Sequence, residues 1–238
     1  MNFIYEKELA RDYDLKRKKP WSPLVSFLNY LKTKYYLLDG KIIDLGCGNG
    51  RNFELFPSKY LIGIDNSMEF LKIAKERKSQ NRVNPQLILC DMNALPLRLS
   101  SIDTIFSIAA LHHIKKVQNR KLMINQLSLI LKKNSLFLIT VWRKYQKRFR
   151  RYFIKDFLKR IFSKNYTNLQ KNRGLNDFGD ILIPWKVSNL NKTYKRYYHL
   201  YSKAEIEKLF SNFKKLEIRK MGGPTKKDNF FALFKKKN

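Results

Sequence analysis

Short apolar runs alternate along residues 41–142 with segments whose apolar positions recur at helical spacing. A run of four to eight apolar residues is typical of a strand buried on both faces, and a spacing of three or four residues is typical of an amphipathic helix. The runs predict strands over 41–46, 60–65, 85–92, 102–111 and 135–142, and helices over 67–78 and 121–133. This alternation indicates an α/β fold with a mostly parallel sheet covered by helices.

Two parts of the chain depart from the alternation. Residues 214–221 and 229–236 are separated by a Gly-Gly-Pro-Thr turn and predict an antiparallel pair of strands. Residues 143–200 interrupt the rhythm, and no long linker flanks them. We therefore expect a single domain over 1–238, with a basic insertion at about 143–200.

The chain is strongly basic, with 50 Lys and Arg, 19 Asp and Glu, and a formal net charge of +31. An AT-rich genome would explain abundant Lys, Asn, Ile, Phe and Tyr, but it would not explain the scarcity of acids. The excess therefore predicts a polyanionic partner, because neutralised phosphates supply sequence-independent affinity. An anionic membrane surface is the alternative.

The composition disfavours secreted, membrane-spanning and metal-binding proteins. Residues 1–14 carry charges where a signal peptide needs an apolar stretch, and no apolar run approaches the length of a membrane span. Cys47, Cys90 and three scattered His lack metal-ligand spacing, and two cysteines do not make a disulfide framework. We expect reduced thiols, no metal and a cytoplasmic protein, with the nucleus as the alternative location.

The sequence DLGCGNG at 44–50 follows the first predicted strand. In open α/β sheets, ligands bind beyond the carboxyl ends of the strands. A dinucleotide loop reads G-x-G-x-x-G and directs a helix N-terminus at a pyrophosphate. Here Gly46, Gly48 and Gly50 alternate, and Asp44 precedes them. Because a carboxylate repels phosphate, the loop favours a ligand that carries an ammonium and a sulfonium.

Two later strand ends also carry acids. Asp65 is placed to accept hydrogen bonds from ribose hydroxyls, while Asp91 and Met92 suit the exocyclic amine and the ring of an adenine. Taken alone, each acid also suits a cap or a solvated loop. Together with the glycine loop, the set resembles the class I S-adenosylmethionine-dependent methyltransferases. A non-binding copy of that fold is the alternative.

This resemblance implies S-adenosylmethionine as cofactor and S-adenosylhomocysteine as product. It also implies a seven-stranded, mostly parallel, Rossmann-like methyltransferase sheet with one antiparallel strand and helices on both faces. The cofactor-binding residues that it implies are Asp44, Gly46, Cys47, Gly48, Asn49, Gly50, Asp65, Asn66, Asp91, Met92 and Ala109.

Five further strings narrow the resemblance. The strings KRKKPWS, SIAALHHI, ITVW, DILIPWK and RYYHLYS are similar to those of the eukaryotic tRNA wobble-uridine carboxymethyl methyltransferases. Those enzymes esterify 5-carboxymethyluridine in the anticodon. The likeness covers most of 11–142 and 180–234, and it departs at 143–179 and at Phe230, where the family more often has Trp. A small-molecule carboxyl or amine methyltransferase and a non-catalytic RNA-binding protein remain the alternatives.

Methyl transfer to a carboxylate needs no strong base, because the carboxylate is ionised at neutral pH. It needs in-line positioning and a cation that holds the carboxylate. Arg17 is the main candidate for that cation and Arg196 the second, while the resemblance places His113 beside the transferred methyl and Trp142 on the pocket wall. The candidate residues for substrate and RNA are Lys19, Trp21, His112, Arg143, Arg148, Arg151, Tyr197, Tyr198 and His199. Packing in the core is the alternative for Trp142 and Tyr197.

Basic and aromatic residues interleave over 142–166. One predicted helical face is apolar and another is basic, and we expect the helix to pack on the core and to present its charge to an anticodon stem-loop. A membrane-surface helix would look similar. The apolar positions are Phe149, Phe153, Phe157 and Ile161, and the basic positions are Arg148, Arg151, Lys155 and Lys159.

The third strand lies at one sheet edge in the usual strand order of this fold. Its segment 87–90 carries no charge, although natural sheet edges are normally protected by charge. The pattern predicts that a partner adds a strand there. The resemblance implies that this partner, in a heterodimer, is the small zinc-binding activator protein shared by several methyltransferases, pairing near 87–91. A local loop that covers the edge is the alternative.

Overall fold

A computed structural model describes residues 7–35, 39–80, 83–188 and 190–237. The helices are α1 (Lys7–Lys16), α2 (Ser22–Lys32), α3 (Met68–Gln80), α4 (Val117–Ile130), α5 (Arg150–Phe162), α6 (Lys164–Asn172) and α7 (Lys203–Leu209). The strands are β1 (Ile42–Leu45), β2 (Leu61–Asp65), β3 (Gln86–Leu89), β4 (Ile102–Ile108), β5 (Leu131–Trp142), β6 (Asp180–Lys186), β7 (Thr193–His199), β8 (Phe213–Met221) and β9 (Asn229–Lys236).

Seven strands form one sheet in the order β3-β2-β1-β4-β5-β9-β8. Neighbouring strands from β3 to β5 are parallel, and β9 is antiparallel to both β5 and β8. The predicted fold is therefore confirmed, including its single antiparallel strand. The predicted terminal pair also forms, as β8 and β9.

Each face of the sheet has its own hydrophobic core. Successive side chains of a strand point to opposite faces, so Phe230 and Phe234 of β9 belong to one core, whereas Phe231 and Leu233 belong to the other. Helices α4 and α7 cover the first core, and α2 and α3 cover the second. The two covered faces explain why the central strands read as uninterrupted apolar runs.

The bounds of the fourth strand differ from the prediction. The apolar run 102–111 is strand only to Ile108, because Ala109 has a φ of 56° and the chain leaves the sheet there. Residues Leu111–His113 then form one 3₁₀ turn. The change of direction brings His112 and His113 to the end of the sheet at which the glycine loop lies.

The insertion forms α5, α6 and an antiparallel hairpin, β6–β7, that is separate from the main sheet. Phe149 and Phe153 are buried against this hairpin and not in either core of the main sheet, whereas Phe157 and Ile161 are 48% and 58% exposed. A spacing of four residues drifts by about 40° per step around a helix of 3.6 residues per turn. The inward side beyond Phe153 is instead occupied by Asp156, which is buried and pairs with Arg160.

Strand β3 lies at the sheet edge, as the strand order predicted, and within the described residues it pairs with β2 alone. Leu89 on this strand is half exposed. Among the described helices, none combines the length and the apolar character that crossing a bilayer requires.

Candidate active site

The glycine loop follows β1 and turns sharply at three positions. Gly46, Gly48 and Gly50 have φ values of 75°, 54° and 70°, which disfavour any side chain. A Cβ on Gly46 would overlap Ala110, and one on Gly50 would overlap Phe53. A Cβ on Gly48 would have no atom within 4 Å. Gly48 therefore leaves open the space into which the loop faces.

That space is a cavity of about 340 Å³ at the carboxyl ends of the parallel strands. All predicted cofactor residues lie on its wall except Asp44 and Gly50, which are buried at the two ends of the loop segment. The residues on the wall are Gly46, Cys47, Gly48, Asn49, Asp65, Asn66, Asp91, Met92 and Ala109. The glycine loop and the acids at the ends of the neighbouring strands thus meet in one cavity, because the carboxyl ends of parallel strands lie at the same edge of a sheet.

Two wall carboxylates are oriented by backbone amides. The Asp65 carboxylate accepts hydrogen bonds from Gly48 N at 2.8 Å and Ser67 N at 2.9 Å, so it links the loop to the start of α3. Burial raises the pKa of Asp65. The Asp91 carboxylate accepts from Asn93 N at 2.8 Å. Each carboxylate keeps acceptor capacity for ligand hydroxyls or an amine.

Two buried acceptors next to the loop have no donor within the described residues, Asp44 Oδ2 and Asn52 Oδ1. Asn52 lies on the cavity wall. A buried acceptor without a donor is costly, and a cationic ligand group would remove that cost. Together with the open space at Gly48, these acceptors fit the aminoacyl end of S-adenosylmethionine.

The pKa of Asp44 is raised to about 7, first by burial and then by the charge of Asp65. The folded chain therefore keeps this proton to a higher pH than the unfolded chain, whose Asp titrates near 3.8. The contribution of this proton to the free energy of unfolding is fully present below about pH 4. It is lost as the pH rises through about 7, at about 1.4 kcal/mol per pH unit. The free energy of unfolding of Asp44→Asn minus that of the wild type, measured with urea, should be larger at pH 8 than at pH 5. An equal difference at both pH values would contradict this assignment.

A second cavity of about 1090 Å³ adjoins the first. Both are lined by Tyr13, Arg51, Ala109, His113 and Arg196, so the two cavities meet at these residues. Cations dominate the charge of the larger wall, which also carries an acid, Asp228, that accepts hydrogen bonds from Thr225. The cations are Lys16, Arg17, Lys18, Lys19, Arg51, Lys147, Arg148 and Arg196. This wall is suited to an anionic substrate.

Arg196 lies where the cavities meet and is held on several sides. Its guanidinium is 5.7, 5.3 and 5.2 Å from the ring centroids of Tyr13, Trp185 and Tyr198. Its Nη2 is 3.4 Å from His113 Nε2. Arg17 is exposed on the larger cavity, and its Nη1 donates to the Lys16 carbonyl. The geometry therefore restrains Arg196 more than Arg17.

His113 is neutral at physiological pH. Burial, followed by the charge of Arg196, lowers the pKa of His113 to about 3. Its Nδ1 is 3.0 Å from the Tyr197 carbonyl, which requires a proton on Nδ1 and leaves Nε2 as an acceptor toward Arg196. His113 is thus placed to orient Arg196, and it is a poor general base.

Aromatic rings form one wall of the larger cavity. Tyr198, His112 and Trp142 form a cluster in which the Tyr198 ring centroid is 4.9 Å from each of the other two, and those two are 6.0 Å apart. Phe149 stacks behind Trp142 at 6.2 Å. Burial lowers the pKa of His112 well below its usual value, so this ring is also neutral. The wall offers apolar surface against which a flat base can pack. Lys19 and Trp21 line the same cavity.

The structure contradicts the expected placement of Tyr197 and His199 at the substrate. Alternate residues of β7 face opposite sides, so Arg196 and Tyr198 face the cavity while Tyr197 and His199 turn away. Both turned-away side chains bond to the buried carboxylate of Asp180, at 2.6 and 2.7 Å. They stabilise the hairpin.

Arg143 and Arg151 also lie outside both cavities. The chain at Arg143 bridges to Tyr201 as β5 ends, and Arg151 is exposed on α5. Asn49 lines the smaller cavity, but its side-chain amide donates to Asp14 and to the Arg17 carbonyl. Its NH2 group therefore holds the N-terminal segment.

Asp177, Asp180 and His199 bring possible metal-ligand atoms within 4.8 Å of one another. The oxygens of this group already accept hydrogen bonds. Asp177 accepts from Arg120 at 2.7 Å, and Asp180 accepts from the Asp177 amide at 2.8 Å. The group forms a polar network beneath the hairpin.

Several residues on the cavity walls were not among the predicted site residues. None of them belongs to a motif with a recognised chemistry, and their only signal was a position near the glycine loop, near a family-like string or within one. These residues are Tyr13, Arg51, Asn52, Lys147 and Trp185.

A family model described as "Methyltransferase domain" matches residues 39–211. The mouse tRNA (carboxymethyluridine(34)-5-O)-methyltransferase ALKBH8 is 33% identical over 136 residues, which are 57% of this chain and 19% of the mouse protein. The chain thus spans about a fifth of that relative's length. The Schizosaccharomyces pombe tRNA (carboxymethyluridine(34)-5-O)-methyltransferase is 28% identical over 215 residues, covering 87% of this chain and 84% of the yeast protein. An S-adenosylmethionine-dependent methyltransferase from Methanosarcina mazei has a TM-score of 0.68 at 18% identity, covering 87% of this chain and 97% of that one.

Proposed function

Because the chain belongs to the methyltransferase domain family, we propose that it methylates tRNA, using S-adenosylmethionine to esterify the carboxylate of 5-carboxymethyluridine at the wobble position. The observation that carries this proposal is Arg196, which lies where a cofactor-sized cavity meets a larger cationic one. The names of the mouse and S. pombe relatives support the choice of substrate. In this proposal residues 1–238 form one cytoplasmic domain with an insertion at about 143–200.

The cofactor would be held by the glycine loop, with Asp65 at its ribose and Asp91 and Met92 at its adenine. When bound, S-adenosylmethionine supplies an electrophilic methyl group on a sulfonium. The protein then has to hold the acceptor carboxylate in line and exclude water. Because the carboxylate is already ionised at neutral pH, no residue has to remove a proton.

Arg196 performs the orienting role. Its planar guanidinium can hold a carboxylate through paired N–H donors, and three aromatic rings with neutral His113 restrict its orientation. Trp142 and Tyr198 form the wall against which the uridine packs. Lys19, Lys147 and Arg148 line the same cavity and are placed for the flanking phosphates.

One assay tests this function. Radiolabelled S-adenosylmethionine is supplied, with and without the zinc-binding partner, together with tRNA that carries 5-carboxymethyluridine, and the nucleosides are then separated. We expect label at the wobble nucleoside and none in tRNA with unmodified uridine. Label in small carboxylic acids alone would indicate a small-molecule enzyme. tRNA binding without any labelling would indicate a non-catalytic RNA-binding protein.

We also propose that the small zinc-binding activator protein pairs with the β3 edge. The uncharged segment 87–90 and the half-exposed Leu89 support this partner. The chain alone should be poorly soluble or weakly active, and co-expression with the partner should restore both properties. A lone chain that is soluble and fully active would contradict the proposal.

The basic positions of the insertion should contribute to tRNA binding. Replacing Arg148, Arg151, Lys155 and Lys159 together by Ala should weaken binding and reduce the slope of log K against log salt, by up to about 0.9 per lost phosphate contact. The control replaces Lys133, Lys208, Lys214 and Lys220, which are also exposed, by Ala. Filter binding at several salt concentrations gives both slopes. Equal slopes for the two variants would exclude a specific role for the insertion.

A further inference from the structure

Three consecutive residues of α1 contact three different parts of the site. The first is Asp12, whose carboxylate is buried against the β6–β7 hairpin. It accepts hydrogen bonds from Trp185 Nε1 at 2.7 Å and from Ser188 N at 2.8 Å. Lys16 also donates to it, at 2.6 Å. Asp12 therefore fixes α1 to the hairpin that carries Arg196.

Asp14 faces the opposite way, toward the glycine loop. Its carboxylate accepts from Asn49 Nδ2 at 2.7 Å and from Arg77 Nη2 at 2.6 Å. Arg77 also donates to the backbone carbonyls of Asn49 and Lys18, at 3.0 and 2.7 Å. The end of α1 is therefore fixed to the loop that forms the cofactor cavity.

Tyr13 lies between these two attachments and lines both cavities. Its ring is 5.2 Å from Phe70 and 5.5 Å from Trp185, measured between centroids. The guanidinium of Arg196 is 5.7 Å from the same ring. Consecutive residues of a helix point about 100° apart, which is how one short helix reaches the loop, the hairpin and the space between them.

We propose that α1 couples the cofactor cavity to the substrate cavity, with Asp12 and Tyr13 acting as positioning residues for Arg196. A ligand that orders the glycine loop also orders Asn49, which lies in that loop. Because Asn49 donates to Asp14, the same ligand restrains α1. Through Asp12 and Trp185 the same helix holds the hairpin, so Arg196 is placed for a carboxylate when the cofactor cavity is filled. The role of Arg196 toward a substrate carboxylate rests on the proposed function, whereas the coupling between the two cavities requires only that the cofactor binds.

Hydrogen–deuterium exchange of the full chain tests the coupling with S-adenosylhomocysteine alone. In the wild type, the ligand should slow exchange both in the loop 46–50 and in the strands 180–186 and 193–199. In Asp12→Ala, it should still slow exchange in the loop but no longer in the strands. Asp12→Asn keeps an acceptor and should recover part of the effect. Glu207→Ala removes a surface ion pair between α7 and Lys215 and should behave as the wild type.

The coupling would be overturned if the ligand still slowed exchange in the hairpin of Asp12→Ala. It would also be overturned if the ligand did not slow exchange in the hairpin of the wild type. Calorimetry confirms that S-adenosylhomocysteine binds each variant. Because no RNA is present, this result stands whether or not tRNA is the substrate.

A second measurement uses an anticodon stem-loop with 5-carboxymethyluridine. S-adenosylhomocysteine should tighten RNA binding about fivefold or more in the wild type and leave it unchanged in Asp12→Ala, since coupling between sites is typically of this size and is reciprocal. The same ratio in both proteins would overturn the coupling and leave the proposed function intact. Failure of the wild type to methylate this RNA when the zinc-binding partner is present would overturn the proposed function, while the exchange experiment would still decide the coupling.

Discussion

Arg196→Ala should lower kcat/KM for the carboxylate substrate by about 100- to 1000-fold, which is the usual cost of removing one oriented donor from an active site. The guanidinium is held by three rings and by neutral His113 where the two cavities meet. Affinity for S-adenosylhomocysteine should change much less, because the loop, Asp65 and Asp91 remain. Single-turnover methylation and calorimetry measure the two quantities separately.

Two variants sharpen this expectation. Arg196→Lys keeps the charge but loses the paired planar donors, so it should recover only part of the rate. Arg17→Ala removes an exposed cation from the same larger cavity and should cost about tenfold or less, since an exposed charge is well screened. A larger loss in Arg17→Ala than in Arg196→Ala would assign the carboxylate to Arg17.

The strands and the glycine loop could be predicted from local sequence, whereas the strand order came from the resemblance to a known family. Strands buried on two faces read as continuous apolar runs, and in a parallel sheet their carboxyl ends meet at one edge. Asp65 and Asp91 are separated along the chain, but Asp65 ends β2 and Asp91 follows the neighbouring strand β3. Their convergence with the glycine loop on one cavity follows from strand order alone.

The substrate side was less predictable because it depends on which face of each element is covered. The string RYYH was a single candidate group, yet only Arg196 and Tyr198 reach the cavity, since alternate residues of a strand diverge. The sequence does not show which face of β7 meets Asp180. In α5, Phe157 and Ile161 matched an apolar stripe, but the drift of a four-residue spacing left them exposed.

Tyr13 and Asn52 illustrate a different limit. Both line the cofactor cavity, but an aromatic residue in an N-terminal helix and an amide two positions after a glycine loop are common without any ligand. Tyr13 becomes significant only through long-range contacts with Phe70, Trp185 and Arg196. Helical periodicity does not encode such contacts, so the tertiary structure was needed to find them.

Gly48→Ala should weaken S-adenosylhomocysteine binding by about 10- to 100-fold while the chain still folds. The new methyl group would enter the open space in front of the loop, where no protein atom lies within 4 Å. Overpacking of a fitted site costs about 1–3 kcal/mol, and each 1.4 kcal/mol is a factor of about ten in affinity. Calorimetry gives the affinity, and urea unfolding gives the stability.

Gly174→Ala is the matched control for this substitution. Gly174 also has a positive φ, 78°, and its Cβ would approach only Lys115 Nζ, at 3.9 Å, among the described atoms within 4 Å. Both variants therefore bear the left-handed backbone cost of about 1–2 kcal/mol, and both should lose similar stability. Only Gly48→Ala should lose the ligand, because Gly174 lies off the wall of the smaller cavity. Equal loss of affinity in the two variants would mean that backbone strain, and not occupation of the cofactor space, explains the effect.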